Sequence, residues 1–207
     1  TLCFDGARHG RGRPQRFPAL RQDYPELVAA CSAGNLETAR FLQEHGSENK
    51  IYVRDLAALL EGLKAEEDAR ETALQLGRET DAETFCLPYG RGGILAAVYL
   101  TALARRSGVE LRLRAVPIRQ ETIALAEALG KNPYRMDTAG VLFLTAHSDS
   151  LVRALRAAGI PAACIGRLVP GLDKCVVDKT EREYINRPEK GITLEAEVFE
   201  TERTKDA

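Results

Sequence analysis

The 207 residues hold 29 lysines and arginines against 30 aspartates and glutamates, a formal charge of −1, so no global field draws the chain to nucleic acid or to an anionic membrane. Apolar residues make up 44% of the sequence, ordinary for one sizeable core or two small ones, and no apolar run reaches the length that crosses a bilayer. The first residues carry Asp5, Arg8, His9 and Arg11 where a signal peptide would carry an apolar core, which reads as a cytoplasmic protein.

Asp5 to Pro18 interleaves glycines with Arg8, Arg11, Arg13 and Arg16 and has no hydrophobic periodicity, the composition of a basic surface loop. It lacks the Lys-Ser/Thr ending of a P-loop, and Phe17 is the one aromatic near enough to stack on a base, so nucleic acid is not the expected partner. Tyr24–Cys31 and Leu36–His45 read as two short helices, the second closed by Gly46. The phrase Leu27 to Leu36 has an ankyrin-like sound, but no second copy follows at the required period. Leu56, Leu59, Leu60 and Leu63 lead an amphipathic helix into Lys64–Arg70, where good helix formers present a charged, wet face. Residues 1–80 are therefore expected to form a basic glycine-rich loop and a mainly helical segment.

From Glu83 the rhythm changes to alternating strands and helices. A strand around Phe85 precedes a helix over Ile94–Arg106, a strand over Glu110–Val116 and a helix over Glu121–Leu129. Val141–Ala146, Ser148–Ala158 and Ala162–Val169 repeat strand, helix, strand, and Cys175–Val177 adds a further apolar run. Two β-α-β units account for this order, giving an α/β (α+β) domain over residues 81–190 with helices layered on the faces of a sheet. Ile192, Leu194, Ala196 and Val198 then alternate with polar residues, an edge strand in a 191–207 tail that frays beyond Glu200.

The junction Gly90-Arg91-Gly92-Gly93-Ile94-Leu95 joins the Phe85 strand to the next helix. Glycines let a backbone approach a ligand closely, and the first turn of a helix offers unpaired N–H groups and a positive dipole end, so the junction can hold an anion with Arg91 reinforcing it. The same glycines also serve a plain tight turn. The five cysteines are scattered and form no C-x-x-C pair, which excludes a zinc knuckle; Cys86, beside the junction, is the thiol to test for reactivity, though a small buried apolar role suits it too. His9, His45 and His147 show no metal-binding spacing. His147-Ser148-Asp149 has the residues of a catalytic triad, but three adjacent residues cannot adopt its geometry, and Ser148 or Asp149 is better suited to cap the following helix.

Several blocks in one order resemble the C-terminal domain of the aminoimidazole ribonucleotide (AIR) synthase-related, PurM-like superfamily, its hydrogenase maturation factor (HypE-type) branch being nearest in tone. They are Gly92–Ala97, Ser107-Gly108-Val109, Val116–Thr122, Gly130–Arg135, Ala139–Phe143, Ala158-Gly159-Ile160, Cys164–Arg167 and Asn186–Glu189. The resemblance covers about Glu83 to Glu189 and implies a layered α/β/α domain with partly ferredoxin-like topology. Members typically join it to an N-terminal ATP-binding domain, which implies ATP and magnesium only where a partner or missing domain supplies that site. Residues 1–80 show isolated aspartates, Asp5, Asp23 and Asp55, rather than the cluster such a site needs.

Where similar proteins usually read His-Asp-x-Thr-Glu-Gly-Gly, this chain has Leu87-Pro88-Tyr89-Gly90-Arg91-Gly92-Gly93, so both acids are replaced, one by proline and one by a cation. The tail Arg203–Ala207 also lacks the terminal cysteine on which the maturation factors carry their modified group. The expected function is that of a divergent accessory or assembly protein without its own ATP domain, binding a small anion such as phosphate. Arg91 and Arg119 would face that anion beside Gly90, Gly92 and Gly93, with Asn132, Asp137 and Thr138 at neighbouring loop ends. The alternative is a subunit or fragment of an ATP-dependent enzyme active only with a separate ATP domain. Neither a catalytic residue nor a metal ligand is assigned, and a homodimer or a heteromeric protein partner is expected.

Overall fold

Leu27, Val28, Ala29 and Ala30 offer no polar side to water, and a short stretch apolar on both faces belongs in the middle of a sheet. The computed structural model describes residues 24–33, 35–45, 56–80, 82–88, 92–138, 140–179, 181–192 and 194–198. Its elements are β1 (Glu26–Ala30), α1 (Asn35–His45), α2 (Leu56–Glu79), β2 (Ala82–Pro88), α3 (Gly93–Ala104), β3 (Gly108–Leu111), α4 (Gln120–Ala128), β4 (Val141–Thr145), α5 (Ser148–Ala157), β5 (Ala162–Val169), β6 (Lys174–Asp178), β7 (Glu181–Tyr184) and β8 (Leu194–Val198). One eight-stranded sheet runs in the order β7-β6-β3-β5-β1-β4-β2-β8. The β3–β6 pair is parallel and every other neighbouring pair is antiparallel.

Both expected β-α-β units are present in split form. β4 and β5 run the same way with β1 between them, and α5 connects them; β2 and β3, joined by α3, flank β4, β1 and β5. This interleaving is the ferredoxin-like character of the layered domain. The segment Tyr24–Cys31, expected as a helix, is instead the strand β1. Buried between β5 and β4, it has no solvent side to give it alternation, and an apolar run this short carries no period that separates helix from strand. Residues 24–79 and 82–198 therefore share one sheet and its core.

α3 is apolar around most of its circumference and is correspondingly buried from Gly93 through Val98 and at Thr101 and Ala102. It lies on the face presented by Leu27, Val109, Leu111, Leu144 and Ile165. α2 and α5 cover the opposite face over Val28, Ala30, Val141 and Phe143, with Leu151, Val152 and Leu155 of α5 turned inward. Each such fully buried aliphatic side chain contributes on the order of 1.5–3 kcal/mol. The strand expected over Glu110–Val116 starts earlier and stops at Leu111. Leu113–Ala115 form a 3₁₀ turn instead, with Val116 N–H donating to Leu113 O at 3.1 Å before Pro117 forces extension. Among the described residues, no helix is long and apolar enough to cross a membrane.

Candidate functional site

Beyond β2 the chain enters α3 through two glycines in the left-handed region, Gly92 at φ 115° and Gly93 at φ 54°. Both are demanded by close approach. A Cβ on Gly93 would stand 2.3 Å from Met136 O and 2.8 Å from Tyr134 O, and one on Gly92 would stand 2.9 Å from Ile192 Cδ1. The tight-turn reading and the close-approach reading of the junction thus hold together. Gly92 is the N-cap and brings no capping side chain; its carbonyl accepts the first helical bond from Ala96 N–H at 3.2 Å. The N–H groups of the first turn have no acceptor inside the helix, and they carry the positive end of its dipole.

A cleft of about 430 Å³ opens at this helix start. Gly92, Leu95 and Ala96 form one wall, Lys131, Asn132, Arg135, Met136 and Asp137 a second, and Asn186, Pro188, Glu189 and Ile192 a third. The second wall is the connection from α4 to β4, whose 3₁₀ turn Pro133–Arg135 is capped by Asn132: its Oδ1 accepts from Tyr134 N–H at 2.9 Å. That cap fixes where Arg135 leaves the backbone. Arg135 is exposed and has no carboxylate partner among the described residues. Lys131 and Arg135 thus share the cleft with the helix start, while Asp137 and Glu189 supply the opposite charge.

Of the residues singled out in the sequence, the cleft gathers Gly92, Asn132 and Asp137, and Gly93 lies just inside the helix against the second wall. Gly90 and Arg91, like the basic loop of residues 5–18, lie outside the described residues, and so does the side chain of Cys86. Arg119 and Thr138 are placed elsewhere. Arg119 lies against Gly62 of α2 and donates from Nε and Nη2 to Glu66 Oε1 at 2.8 and 2.5 Å. The Glu66 carboxylate also accepts from Ser32 N–H at 3.2 Å and from the Ser32 hydroxyl. Thr138 Oγ1 donates to Ser32 O at 3.1 Å and accepts from Gly140 N–H at 2.8 Å. The anion that Arg119 meets is therefore the protein's own carboxylate, and the cluster ties α2, the end of β1 and the starts of α4 and β4.

Glu66 was expected on a wet helix face, yet it is 5% exposed. Its spacing to Ala69, Ala73 and Gly77 puts it on the buried stripe of α2, a signal present in the sequence but masked by the charges around it. Cys31, beside this cluster, has its thiol pushed up to about 11, first by burial and then by the charge of Glu66. At the start of α5, His147 rather than Ser148 or Asp149 is the N-cap. The Ser148 hydroxyl is turned to Glu26, whose carboxylate also accepts from Cys164 Sγ at 3.3 Å. Burial, then the bond to Glu26, raises the Cys164 thiol as well, so neither thiol is an activated nucleophile.

Comparison with family models and with curated protein sequences finds no match. Solved structures do match in fold. Escherichia coli HypE, a hydrogenase maturation protein, superposes with a TM-score of 0.62 at 18% identity, over 79% of this chain and 50% of HypE. Thiamine-monophosphate kinase from Stenotrophomonas maltophilia K279a gives 0.55 at 19% identity over 81% of this chain and 54% of the kinase. T. maritima PurL complexed with FGAR gives 0.54 at 15% identity over 87% of this chain and 33% of PurL. Other HypE structures of this fold are in complex with ATP or with HypF. The chain spans about half the length of HypE, and identities this low tie it to these proteins by fold alone. That fold is the AIR synthase-related, PurM-like one implied by the sequence blocks.

Proposed function

We propose that this chain is an AIR synthase-related accessory or assembly protein that binds a small phosphate-bearing ligand in the cleft at the start of α3. One observation carries the reading: the uncapped first turn of α3 opens, on glycines that admit no side chain, into a cleft that also holds Lys131 and Arg135. A phosphate there would accept from backbone N–H groups and from a guanidinium that pairs planar oxyanions bidentately. Gly90 and Arg91 would complete the contact on the approach to α3. The acids that a related turn uses are replaced here, which supports binding over chemistry.

Titration of the chain with inorganic phosphate and AMP, followed by amide chemical shifts, tests this. Shifts should centre on Gly92–Leu95 and on Asn132–Asp137, and Arg135→Ala should weaken binding roughly tenfold, the value of one charge-assisted contact. Saturating phosphate that moves none of these amides refutes the reading.

A second reading is favoured by the carboxylates of Asp137 and Glu189 in the same cleft. They supply groups that could hold a cation or accept a proton once an ATP-bearing domain closes over the cleft, as in a subunit of an ATP-dependent enzyme. Under the first reading the isolated chain hydrolyses no ATP and Asp137→Asn leaves phosphate binding intact. Turnover that appears with an added ATP domain and vanishes in Asp137→Asn would favour the second. Self-association or a heteromeric partner accompanies either reading, and sedimentation velocity reads it directly.

A further inference from the structure

One face of the sheet is unevenly covered. α2 and α5 pack over β1, β2, β4 and β5, but on that same side β3, β6 and β7 carry no helix among the described residues. Register defines what this bare region displays, because directly paired residues share a face. Glu110 pairs with Arg167 of β5, and Val177 of β6 pairs with Arg182 of β7. Arg167 and Arg182 both reach Glu110, at 3.1 and 3.2 Å, which places all of them on one side. Tyr184, two residues along β7, is on that side too and is 71% exposed.

The charges there do not balance locally. Two arginines divide one carboxylate between them. Arg112 lines a hollow of about 270 Å³ together with Glu26 and Gly166; it donates to the Cys164 carbonyl and thiol at 3.2 and 3.3 Å, Glu26 accepts from the same thiol at 3.3 Å, and Arg112 makes no ion pair among the described residues, so three arginines (Arg112, Arg167, Arg182) face two carboxylates (Glu26, Glu110). Gly166 is a glycine for a structural reason, since a Cβ there would stand 2.2 Å from Glu110 O. Guanidinium donors with spare capacity, an exposed tyrosine and a half-buried valine on a rigid strand surface are the composition of a protein contact, in which Arg and Tyr are enriched.

We propose that the bare β3–β6–β7 face docks a protein segment that places a carboxylate against Arg112 and an apolar side chain over Val177 and Tyr184. Charge complementarity selects the occupant. A second copy of this chain would bring the same surplus of arginine to the contact, and the side-chain parity of β7 turns Glu181 and Glu183 to the other side, where they cannot compensate. The face spans about 14 Å across three strands and about 14 Å along them, well below the area of a permanent interface, so the contact is a transient one in the micromolar range or weaker.

The test uses the full chain and a defined probe, the peptide acetyl-Glu-Glu-Leu-Glu-Glu-amide, with its lysine counterpart acetyl-Lys-Lys-Leu-Lys-Lys-amide as control. Amide and arginine side-chain shifts should move at Arg112, Arg167, Arg182 and Tyr184 with the acidic peptide and not with the basic one. Arg112→Glu should weaken binding at least about tenfold while leaving the thermal midpoint within about two degrees, because this exposed side chain makes no ion pair. Arg182→Glu, which also reverses a charge on the face, gives a second and independent reading. Acidic-peptide shifts confined to the α3 cleft, or unchanged affinity in both variants, would overturn the proposal. So would a concentration-dependent dimer abolished by Arg112→Glu, which makes a second copy the occupant, or preferential binding of oligouridylate at the same residues, which makes it RNA.

Discussion

Replacing Arg119 by alanine separates two roles that the same residue could play. In the sequence it stands as a cation for a bound anion; in the structure its guanidinium is committed to Glu66, a carboxylate 5% exposed that also accepts from the Ser32 amide and hydroxyl. Removing one partner of a buried pair leaves the other charge desolvated, a change of about 3–5 kcal/mol when burial is complete. The Arg119 side chain is 33% exposed, so water can partly replace it, and we expect about 2–3 kcal/mol after that discount. For a chain of this size that is a fall of about 5–10 °C in the melting temperature. Arg119→Ala should nevertheless leave phosphate affinity within twofold, whereas Arg135→Ala should lose affinity at unchanged stability. Differential scanning fluorimetry and phosphate titration on the two variants complete the comparison. If Arg119→Ala melts with the wild type, or loses phosphate binding while remaining as stable, the assignment of Arg119 to an internal clamp is wrong.

Three further outcomes follow from packing and topology. Gly77→Ala sets a methyl 2.4 Å from Cε1 of Phe143, a ring with no exposed surface, and should destabilise by about 1–3 kcal/mol in urea unfolding, with Phe143→Leu in the same background recovering part of the loss. Cys31 holds its proton to about pH 11 in the folded chain against a usual 9.0, so the unfolded chain binds fewer protons between those values and stability falls as pH rises through them; Cys31→Ala should remove on the order of 2 kcal/mol of that decline, and equal slopes would contradict it. The connection from β7 to β8, residues 185–193, turns at Glu189–Ile192, where Ile192 N–H donates to Glu189 O at 3.4 Å and Gly191 takes φ 93°. Deleting Lys190 and Gly191 removes that turn and should loosen β8 from β2, read as lost amide protection over Leu194–Val198, and retained protection would show that the turn does not set the position of the strand.

Much of the layered domain was legible because its elements carry their own periods. α5 is the plainest case, with Leu151, Val152 and Leu155 on one side and exposed residues on the other. Where burial is complete the period disappears, which is why Tyr24–Cys31 reads as a helix in the sequence and folds as β1: its two faces are equally apolar. The glycine junction was legible as a place of close approach, since no other residue tolerates those dihedral angles beside Met136 O. Its partners were only half legible. Asn132 and Asp137 stand out as polar loop ends, whereas Lys131, Arg135, Asn186 and Glu189 are visible in the sequence only as part of family blocks. Thr138 has the chemistry of a ligand contact and spends it on the backbone of Ser32 and Gly140, which sequence alone does not reveal.

The cleft's position follows from this topology rather than from any one motif. A helix start becomes an anion site only if something holds cations and excludes bulk around it, and here the two surrounding walls are connections without regular strands, one leaving α4 and one crossing from β7 to β8. The first is pinned by the Asn132 cap and by Gly93, which lets the carbonyls of residues 134 and 136 close on the helix start. The second is held by the turn at Glu189–Ile192, where Ile192 N–H donates to Glu189 O at 3.4 Å, and by Ile192 against Gly92. A larger residue at Gly92 or Gly93 would therefore push the walls outward as well as obstruct the ligand's approach, and the loss of binding would come with a measurable loss of protection in β8. Binding lost with β8 protection unchanged would instead mean that the glycines serve the ligand alone and that the crossing connection is a bystander.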